Sequence, residues 1–334
     1  MILVTGGTGL LGAHLLVELA QSDTQSIRAI YRSECKKETV RSLFNYYIPD
    51  NPDHSFNKIE WVKADILNLP ELQNAMQGVS QIYHCAALVS FYKPDFQTLL
   101  KINREGTANV VNIALNMEAC KLCYVSSTAA IGGADGEHIS ETSKWKNTPT
   151  TSGYSISKYS AEKEVWRGIE EGLNAVIVNP CVILGAGNWN DSSLTIFKTL
   201  EKGVRFYPPG SNAIVDARDV SEIMVKLMNS DSSAERYLCI GSNQSFKDLM
   251  AGIAKQMGVS IPKRPVKRYL VEVARILLGV LAFFTSKQPA ITTETANSLF
   301  GNKSYDASKV EKTLNFKFRA LPEVVENGIR GRQV

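Results

Sequence analysis

The sequence carries little excess charge of either sign, which argues against a nucleic-acid partner. Its 334 residues contain 37 lysines and arginines against 33 acidic residues, so the net charge is only +4. An excess this small, with a pI near 8.6, falls short of the basic footprint that nucleic-acid-binding domains show. We therefore expect a small-molecule substrate and no nucleic-acid partner.

Cysteine and histidine are too scattered to indicate a disulfide framework or a metal centre. Most of the six cysteines lie within apolar runs, which is typical of free thiols in a reducing compartment. Cys120 and Cys123 form one C-x-x-C pair, but no second pair and no histidines at ligand spacing follow it. We expect both thiols to pack in the interior, and we expect no metal site.

The sequence also lacks a recognisable secretion signal. The chain begins with a short apolar stretch, residues 1–4, which has no basic residues before it and is too short for a signal peptide. This pattern predicts a cytoplasmic location.

No apolar run is long enough to span a membrane. Residues 269–284 are unusually apolar, but their unbroken part, 276–284, is far shorter than the ~20 residues that a spanning helix needs. We expect a helix that packs into the substrate-binding region. Lining of an apolar pocket and contact with a membrane surface are the alternatives, because four cations precede the run: Lys263, Arg264, Lys267 and Arg268.

Short apolar runs alternate with amphipathic stretches through the first half of the chain. This alternation predicts parallel strands joined by right-handed helical crossovers, that is, an α/β Rossmann-like doubly wound parallel sheet. After residue 180 the pattern becomes irregular and then mostly helical. The predicted strands are 2–4, 27–31, 59–62, 82–85, 122–125 and 175–178, with a late one at 237–240.

Two functional regions are expected from this change of pattern. We predict a dinucleotide-binding domain over residues 1–180, to which residues 214–241 return. A smaller, mostly helical substrate-binding region is predicted to comprise residues 181–213 and 242–334.

A glycine-rich turn joins the first predicted strand to the first predicted helix. Gly6 permits the tight turn, Gly9 allows the backbone to approach a pyrophosphate, and Gly12 allows the helix to pack closely on the strand. The start of the helix offers unpaired N–H groups to phosphates. The turn therefore predicts a dinucleotide site whose backbone contacts come from Gly6, Thr8, Gly9, Leu10, Leu11 and Gly12.

The residue that follows the second strand indicates which dinucleotide binds. A carboxylate there would bind the ribose 2′-hydroxyl of NAD, but Arg32 lies at this position, twenty residues after Gly12. A guanidinium suits the 2′-phosphate of NADP by charge and by geometry. We therefore predict NADP, with NAD as the alternative.

Tyr154 and Lys158 occupy positions i and i+4 of a predicted helix, so their side chains share one face. A nearby cation lowers the pKa of a phenol, which would let the pair exchange a proton with a substrate oxygen. Ser126 and Ser127 end the fifth predicted strand, where ligands of open α/β sheets bind. A Ser127 hydroxyl there would orient the substrate oxygen. These features together predict a Tyr154/Lys158/Ser127 catalytic group.

With these motifs in place, nearly the whole chain resembles the extended short-chain dehydrogenase/reductases, which form the NAD-dependent epimerase/dehydratase family. The similarity is greatest to dihydroflavonol-reductase-like and 3β-hydroxysteroid-dehydrogenase-like members. The resemblance implies that His84 packs rather than reacts. It also implies further cofactor contacts at Asp65, Ile66, Ala86, Ala87, Asn103, Ser126, Lys158, Pro180 and Val182. Asp65 is equally suited to capping a helix.

Differences between this sequence and the sugar-modifying members of the family indicate which activity to expect. Those dehydratases carry an Asp-Glu pair beside the catalytic hydroxyl, whereas this chain has Thr128, Ala129 and Ala130. We therefore expect NADPH-dependent reduction of a ketone or aldehyde. An NAD-dependent nucleotide-sugar epimerase is one alternative, and a non-catalytic NADP sensor is another. Many members pair through the segments 96–117 and 154–171, so a homodimer is expected.

The resemblance does not identify the substrate, because cap loops contact it and such loops vary freely. The candidate pocket residues are Phe91, Tyr92, Trp189, Tyr207 and the segment 133–139.

Overall fold

The computed structural model describes residues 1–22, 25–117, 120–133, 136–285 and 291–333. Ala134 and Asp135 of the candidate pocket segment therefore lie outside the described residues. The strands in the described part of the chain are β1 (Ile2–Thr5), β2 (Ile27–Tyr31), β3 (Ile59–Lys63), β4 (Gln81–His84), β5 (Lys121–Val125), β6 (His138–Ile139), β7 (Asn174–Pro180), β8 (Val182–Leu184), β9 (Phe206–Tyr207), β10 (Ser211–Asp216), β11 (Glu235–Cys239), β12 (Ser242–Ser245), β13 (Arg264–Pro265) and β14 (Ser304–Tyr305).

The helices lie between and beside these strands. One π-helical segment, Leu100–Glu105, joins the fifth and sixth of them. The helices are α1 (Leu10–Ala20), α2 (Cys35–Tyr47), α3 (Pro52–Asn57), α4 (Leu69–Met76), α5 (Phe96–Leu99), α6 (Gly106–Leu115), α7 (Gly153–Glu170), α8 (Thr195–Glu201), α9 (Ala217–Met228), α10 (Phe246–Gln256), α11 (Arg268–Thr285), α12 (Thr293–Ser298), α13 (Ser308–Leu314) and α14 (Leu321–Arg330).

Seven strands form one parallel sheet in the order β11-β7-β5-β4-β1-β2-β3. The strand order reverses between β1 and β4, where the two halves of a doubly wound sheet meet. The predicted fold class is therefore confirmed. Parallel strands align their carboxyl ends at one edge, so the residues that follow β1, β4, β5 and β7 lie side by side.

Apolar side chains cover both faces of this sheet, which explains why its strands are nearly continuous apolar runs. Within β1, Ile2 and Val4 pack into the core on one face, while Leu3 packs into the core on the other. In β7, Val176 and Ile177 likewise point to opposite faces. A third apolar cluster, which includes Leu184, Phe197 and Ile253, lies in the second half of the chain.

Helix α1 begins and ends where the sequence pattern predicts, but it is more deeply buried than a one-sided helix. Its buried residues include the consecutive Leu15, Leu16 and Val17, which lie on different sides of the helix. The reason is that α9, which also packs on the sheet, lies against α1 and covers a further side of it.

The apolar segment 269–284 falls within α11, and packing covers only one side of the helix. Val271 is buried, whereas Val273 and Leu277 are more than half exposed. Among the described side chains the segment thus packs through one side, and the expectation of packing into the substrate-binding region stays a prediction. Among the described residues, no helix combines the length and the apolar character needed to cross a bilayer.

Candidate active site

The turn between β1 and α1 requires glycine at two positions. Gly6 has φ +68°, and a Cβ added to it would lie 2.6 Å from the backbone nitrogen of Ala86. A Cβ on Gly12 would lie 2.2 Å from the carbonyl oxygen of Gly6. Both contacts are far closer than side chains tolerate, so the chain can follow this path only with glycine at these positions.

The first turn of α1 is open to an anion. Its N-cap is Gly9, which supplies no side chain to the unpaired N–H groups of the helix. Gly9 itself is exposed, while Leu11 is buried beneath the turn. Unpaired N–H groups and the positive end of the helix dipole favour phosphate binding. The turn therefore fits the pyrophosphate of a dinucleotide.

Arg32 and Asp65, at the ends of the neighbouring strands β2 and β3, meet in the structure. The Arg32 side chain is 67% exposed, and its Nη1 lies 4.0 Å from Oδ2 of Asp65. Asp65 also accepts a hydrogen bond from the Leu67 backbone. Asp65 does not cap α4, since Asn68 is the N-cap of that helix. An exposed guanidinium thus lies where the ribose end of a dinucleotide would reach.

His84 is buried in a hydrogen-bonded cluster at the ends of β1 and β4. Its Nδ1 lies 2.6 Å from the Thr5 hydroxyl, and its Nε2 lies 3.0 Å from the Thr107 hydroxyl. Burial, with a smaller contribution from Lys158, lowers the pKa of His84 to about 3. His84 therefore stays neutral at physiological pH and packs in the interior, as the resemblance implied. The Thr5 hydroxyl also accepts a hydrogen bond from Ala86 N–H, which fixes the start of the following loop.

Asn103 lies in the π-helical segment and connects the loop after β4 to α7. Its Oδ1 accepts a hydrogen bond from Leu88 N–H, and its Nδ2 donates to Leu88 O and to Ser157 Oγ. The side chain is thus used within the protein, so it positions that loop. Direct cofactor contact by Asn103 stays a prediction.

Tyr154 and Ser127 come together as the sequence predicts. Burial raises the Tyr154 pKa above its ordinary value, and the nearby Ser127 hydroxyl lowers it in part. Ser127 Oγ also accepts a hydrogen bond from Ala129 N–H, which fixes the position of the hydroxyl. The Phe91 ring packs edge-on against Tyr154 with the centroids 5.6 Å apart. A protonated phenol and a fixed hydroxyl therefore lie side by side.

Lys158 is buried and does not bond to Tyr154 in this structure. Its Nζ donates to Tyr124 OH and to Val125 O, both at 2.8 Å. Burial lowers the Lys158 pKa to about 7, although the Glu162 carboxylate raises it in part. We expected Lys158 to lower the pKa of Tyr154, but its contacts are with Tyr124 and Val125. Lys158 instead holds a readily exchanged proton one helical turn from Tyr154.

A buried polar network behind Lys158 was not predicted. Glu162 is 2% exposed and accepts hydrogen bonds from Ser126 Oγ at 2.5 Å and from Asn179 Nδ2 at 2.8 Å. Its other oxygen accepts from Arg236 Nη1 at 3.0 Å. Ser126, predicted as a cofactor contact, is thus held by Glu162. The i, i+4, i+8 spacing of Tyr154, Lys158 and Glu162 was the signal available in the sequence.

The end of β7 lies beside the catalytic serine. Asn179 Nδ2 donates to the Ser127 carbonyl oxygen at 3.1 Å. Pro180 ends β7 and Val182 begins β8, so both lie at the same edge of the sheet as Ser127. Their predicted backbone contact with the nicotinamide amide stays a prediction that this placement favours.

A second unpredicted residue, Glu294 of α12, contacts the start of the catalytic helix. Its Oε1 accepts a hydrogen bond from Gly153 N–H at 3.1 Å. Among the candidate pocket residues, Phe91 lies against Tyr154, as given above. Trp189 was wrongly placed in the pocket, because it is 5% exposed, stacks on Phe197 and donates to Gly328 O.

Comparison with known proteins places this site in a family. The profile of the NAD dependent epimerase/dehydratase family matches residues 2–240. The chain belongs to that family and is an oxidoreductase of the extended short-chain dehydrogenase/reductase type.

Individual relatives are similar at modest identity. A putative dihydroflavonol 4-reductase of Synechocystis is 27% identical, over 98% of this chain and 92% of the relative. Sterol demethylase protein B of Methylococcus capsulatus is 26% identical, over 93% and 92%. The solved UDP-glucuronic acid 4-epimerase of Bacillus cereus in complex with NAD superposes with a TM-score of 0.74. It is 17% identical and covers 99% of this chain and 98% of that chain, so this likeness shows the shared fold alone.

Proposed function

We propose that the enzyme reduces a ketone or an aldehyde of a small organic substrate with NADPH. The observation that supports this most directly is that the fixed Ser127 hydroxyl lies near the Tyr154 phenol, at the edge of the sheet where the glycine turn opens. Two hydroxyl groups there can both reach one substrate oxygen.

In the proposed mechanism, Ser127 and Tyr154 bind the carbonyl oxygen and Tyr154 donates a proton to it. The bound nicotinamide supplies the hydride. Because burial raises the pKa of Tyr154, the phenol stays protonated at neutral pH, which suits an acid better than a base. Lys158 stores a proton at Nζ beside the site, since its pKa of about 7 makes both protonation states accessible.

Arg32 supports the choice of NADPH. The side chain is exposed and charged at the end of β2, and its single carboxylate neighbour in the described structure is 4.0 Å away. A 2′-phosphate would offer a closer, bidentate partner for the guanidinium. The glycine turn would hold the pyrophosphate through its backbone N–H groups.

The segment after Ser127 favours a carbonyl reductase over a dehydratase, which would catalyse an elimination. Thr128, Ala129 and Ala130 form a short helical turn that Ser127 caps. None of the three is an acid or a base, so a dehydratase would lack its proton-transfer groups at this place.

We also propose the functional division predicted from the sequence. Residues 1–180 and 214–241 would bind the dinucleotide, and residues 181–213 and 242–334 would contact the substrate. Parallel pairing of β11 with β7 supports the return of the later segment to the first region.

The test is a panel of ketones, aldehydes and nucleotide sugars, followed at the absorbance of the reduced cofactor. We expect NADPH consumption with a carbonyl compound, faster than with NADH. The purified protein should hold no stoichiometric NAD. Resident NAD, with conversion of a nucleotide sugar and no net cofactor consumption, would replace the reductase by the epimerase.

A further inference from the structure

The outer side of α11 exposes a continuous apolar stripe. At about 100° per residue, the exposed apolar side chains fall within roughly 120° of the helix circumference. Val273 is 52% exposed, Ile276 56% and Leu277 65%. Tyr269 and Leu270 extend the stripe to the first turn of the helix. An exposed patch of this kind marks an interaction site rather than a scattered surface residue.

The opposite side of the helix packs on the protein. Val271, which lies about 160° from the centre of the stripe, is 5% exposed. Glu272 pairs with Arg275 at 2.8 Å on the flank of the helix, so the charges of these two residues compensate each other outside the stripe. The helix is therefore held with its apolar stripe facing outward.

The ribbon that precedes α11 in the chain also carries exposed apolar side chains. Strand β13 pairs with β9, and this register places Arg264 next to Phe206. Phe206 is 45% exposed, and Ile261, just before the ribbon, is 43% exposed. Exposed apolar side chains thus also occur on the segment that leads into the helix.

Four cations lie on this ribbon and at the start of the helix: Arg205, Lys263, Arg264 and Lys267. All four are exposed, and none pairs with a carboxylate of the described residues. Lys263 N–H donates to Arg205 O, which keeps these two residues on neighbouring strands. The cations and the apolar stripe together are called the docking surface below.

We propose that the docking surface rests on a lipid bilayer that contains anionic lipids. An apolar helix face inserts at the boundary between headgroups and acyl chains, while nearby cations contact anionic headgroups. A second copy of the chain is a poorer occupant, because a two-fold interface would bring the same unpaired cations against each other. Charge complementarity therefore selects an anionic surface.

Vesicle sedimentation with the full chain tests the proposal. We expect binding to vesicles of phosphatidylcholine mixed with phosphatidylglycerol, and little binding to phosphatidylcholine alone. Changing Lys263, Arg264 and Lys267 to alanine should weaken binding on the order of 100-fold. A control triple with the same charge change, Lys36→Ala, Lys101→Ala and Lys312→Ala, should bind like the unchanged protein.

A separate variant tests whether the apolar stripe contributes to vesicle binding. Leu277→Glu should weaken vesicle binding about tenfold or more, since the side chain no longer partitions into the bilayer. Leu69→Glu, on an exposed leucine of α4, is the matched control and should bind normally. Absence of binding to anionic vesicles, or binding that neither set of substitutions weakens, overturns the proposal. A dimer in gel filtration that Leu277→Glu converts to a monomer would assign the surface to a second copy.

Discussion

The catalytic centre and the docking surface both combine charged and apolar residues, but in opposite arrangements. In the centre, Lys158 and Glu162 are buried, and each makes hydrogen bonds to at least two groups of the protein. On the docking surface, Lys263 and Lys267 are exposed without a carboxylate partner in the described structure, and Leu277 on the following helix is uncovered.

This difference separates two uses of charge. A buried charge must be compensated within the fold, so it fixes the positions of its neighbours and is costly to disturb. An exposed and unpaired charge adds little to stability and stays available to an outside partner. Substitutions in the centre should therefore alter stability and catalysis, whereas those on the docking surface should alter binding alone.

The largest effect on cofactor binding is expected at the glycine turn. Gly12→Ala would place a Cβ 2.2 Å from Gly6 O, so the backbone must shift where phosphates bind. NADPH affinity should fall by about 100-fold or more, since orientation of the N–H groups would be lost. Isothermal titration with NADPH measures this.

Gly252→Ala is the matched control, because a Cβ there meets nothing within 4 Å. It lies inside α10 and should raise the unfolding free energy by about 0.5 to 1 kcal/mol with unchanged NADPH affinity. Equal affinities in the two variants would contradict the close packing inferred for the turn.

The next effect concerns the network behind Lys158. Glu162→Gln leaves Arg236 without its buried anion, so the unfolding free energy should fall by about 3 kcal/mol. Urea denaturation measures the loss. Glu326→Gln removes an exposed partner of Arg330 and should cost less than about 1 kcal/mol. Similar losses of unfolding free energy in both variants would mean that Glu162 stabilises the fold no more than an exposed glutamate does.

Arg32→Ala should weaken NADPH binding about 30-fold and NADH binding hardly at all, because only NADPH carries a 2′-phosphate. Lys36→Ala, at a neighbouring exposed cation, should leave both affinities unchanged. Thermal shift with each nucleotide gives the comparison. Equal weakening for NADPH and NADH would remove Arg32 from the explanation of cofactor choice.

The smallest effect is a pH dependence of stability. The Lys158 pKa is about 7 in the folded protein and near 10.5 when unfolded, so the unfolded chain binds more protons between these values. Above pH 7 this lysine should add up to about 1.4 kcal/mol of stability per pH unit. The melting temperature of the unchanged protein minus that of Lys158→Met should therefore increase as pH rises from 7 to 9. Parallel curves would contradict the buried, near-neutral lysine.

Local patterns were sufficient to predict the sheet, the glycine turn and the Tyr154–Ser127 pair. Parallel strands are buried on both faces, so each is visible as an apolar run. Gly6 and Gly12 are needed for backbone reasons that act within one turn. Ser127 follows from the rule that ligands bind at the carboxyl ends of parallel strands, and Tyr154 follows from its helical spacing to Lys158.

Contacts between distant segments could not be predicted in this way. Glu162 meets Arg236 only because β11 joins the far edge of the sheet, and Glu294 reaches Gly153 from the last part of the chain. The exposure of α11 was missed for another reason. Its periodicity is weak, with apolar residues on both sides, and the pattern does not say which side meets the protein. The homodimer through the helices of segments 96–117 and 154–171 stays a prediction.

The most direct measurement compares two tyrosines that lie near Lys158. Tyr154→Phe should lower the rate of NADPH-dependent carbonyl reduction by about 1,000-fold while NADPH still binds, because the proton donor is lost. Tyr124→Phe removes only one hydrogen bond to Lys158 and should keep the rate within about tenfold. A Tyr154→Phe enzyme that retains the rate, or two variants that lose it equally, would contradict the assignment of Tyr154 as the proton donor.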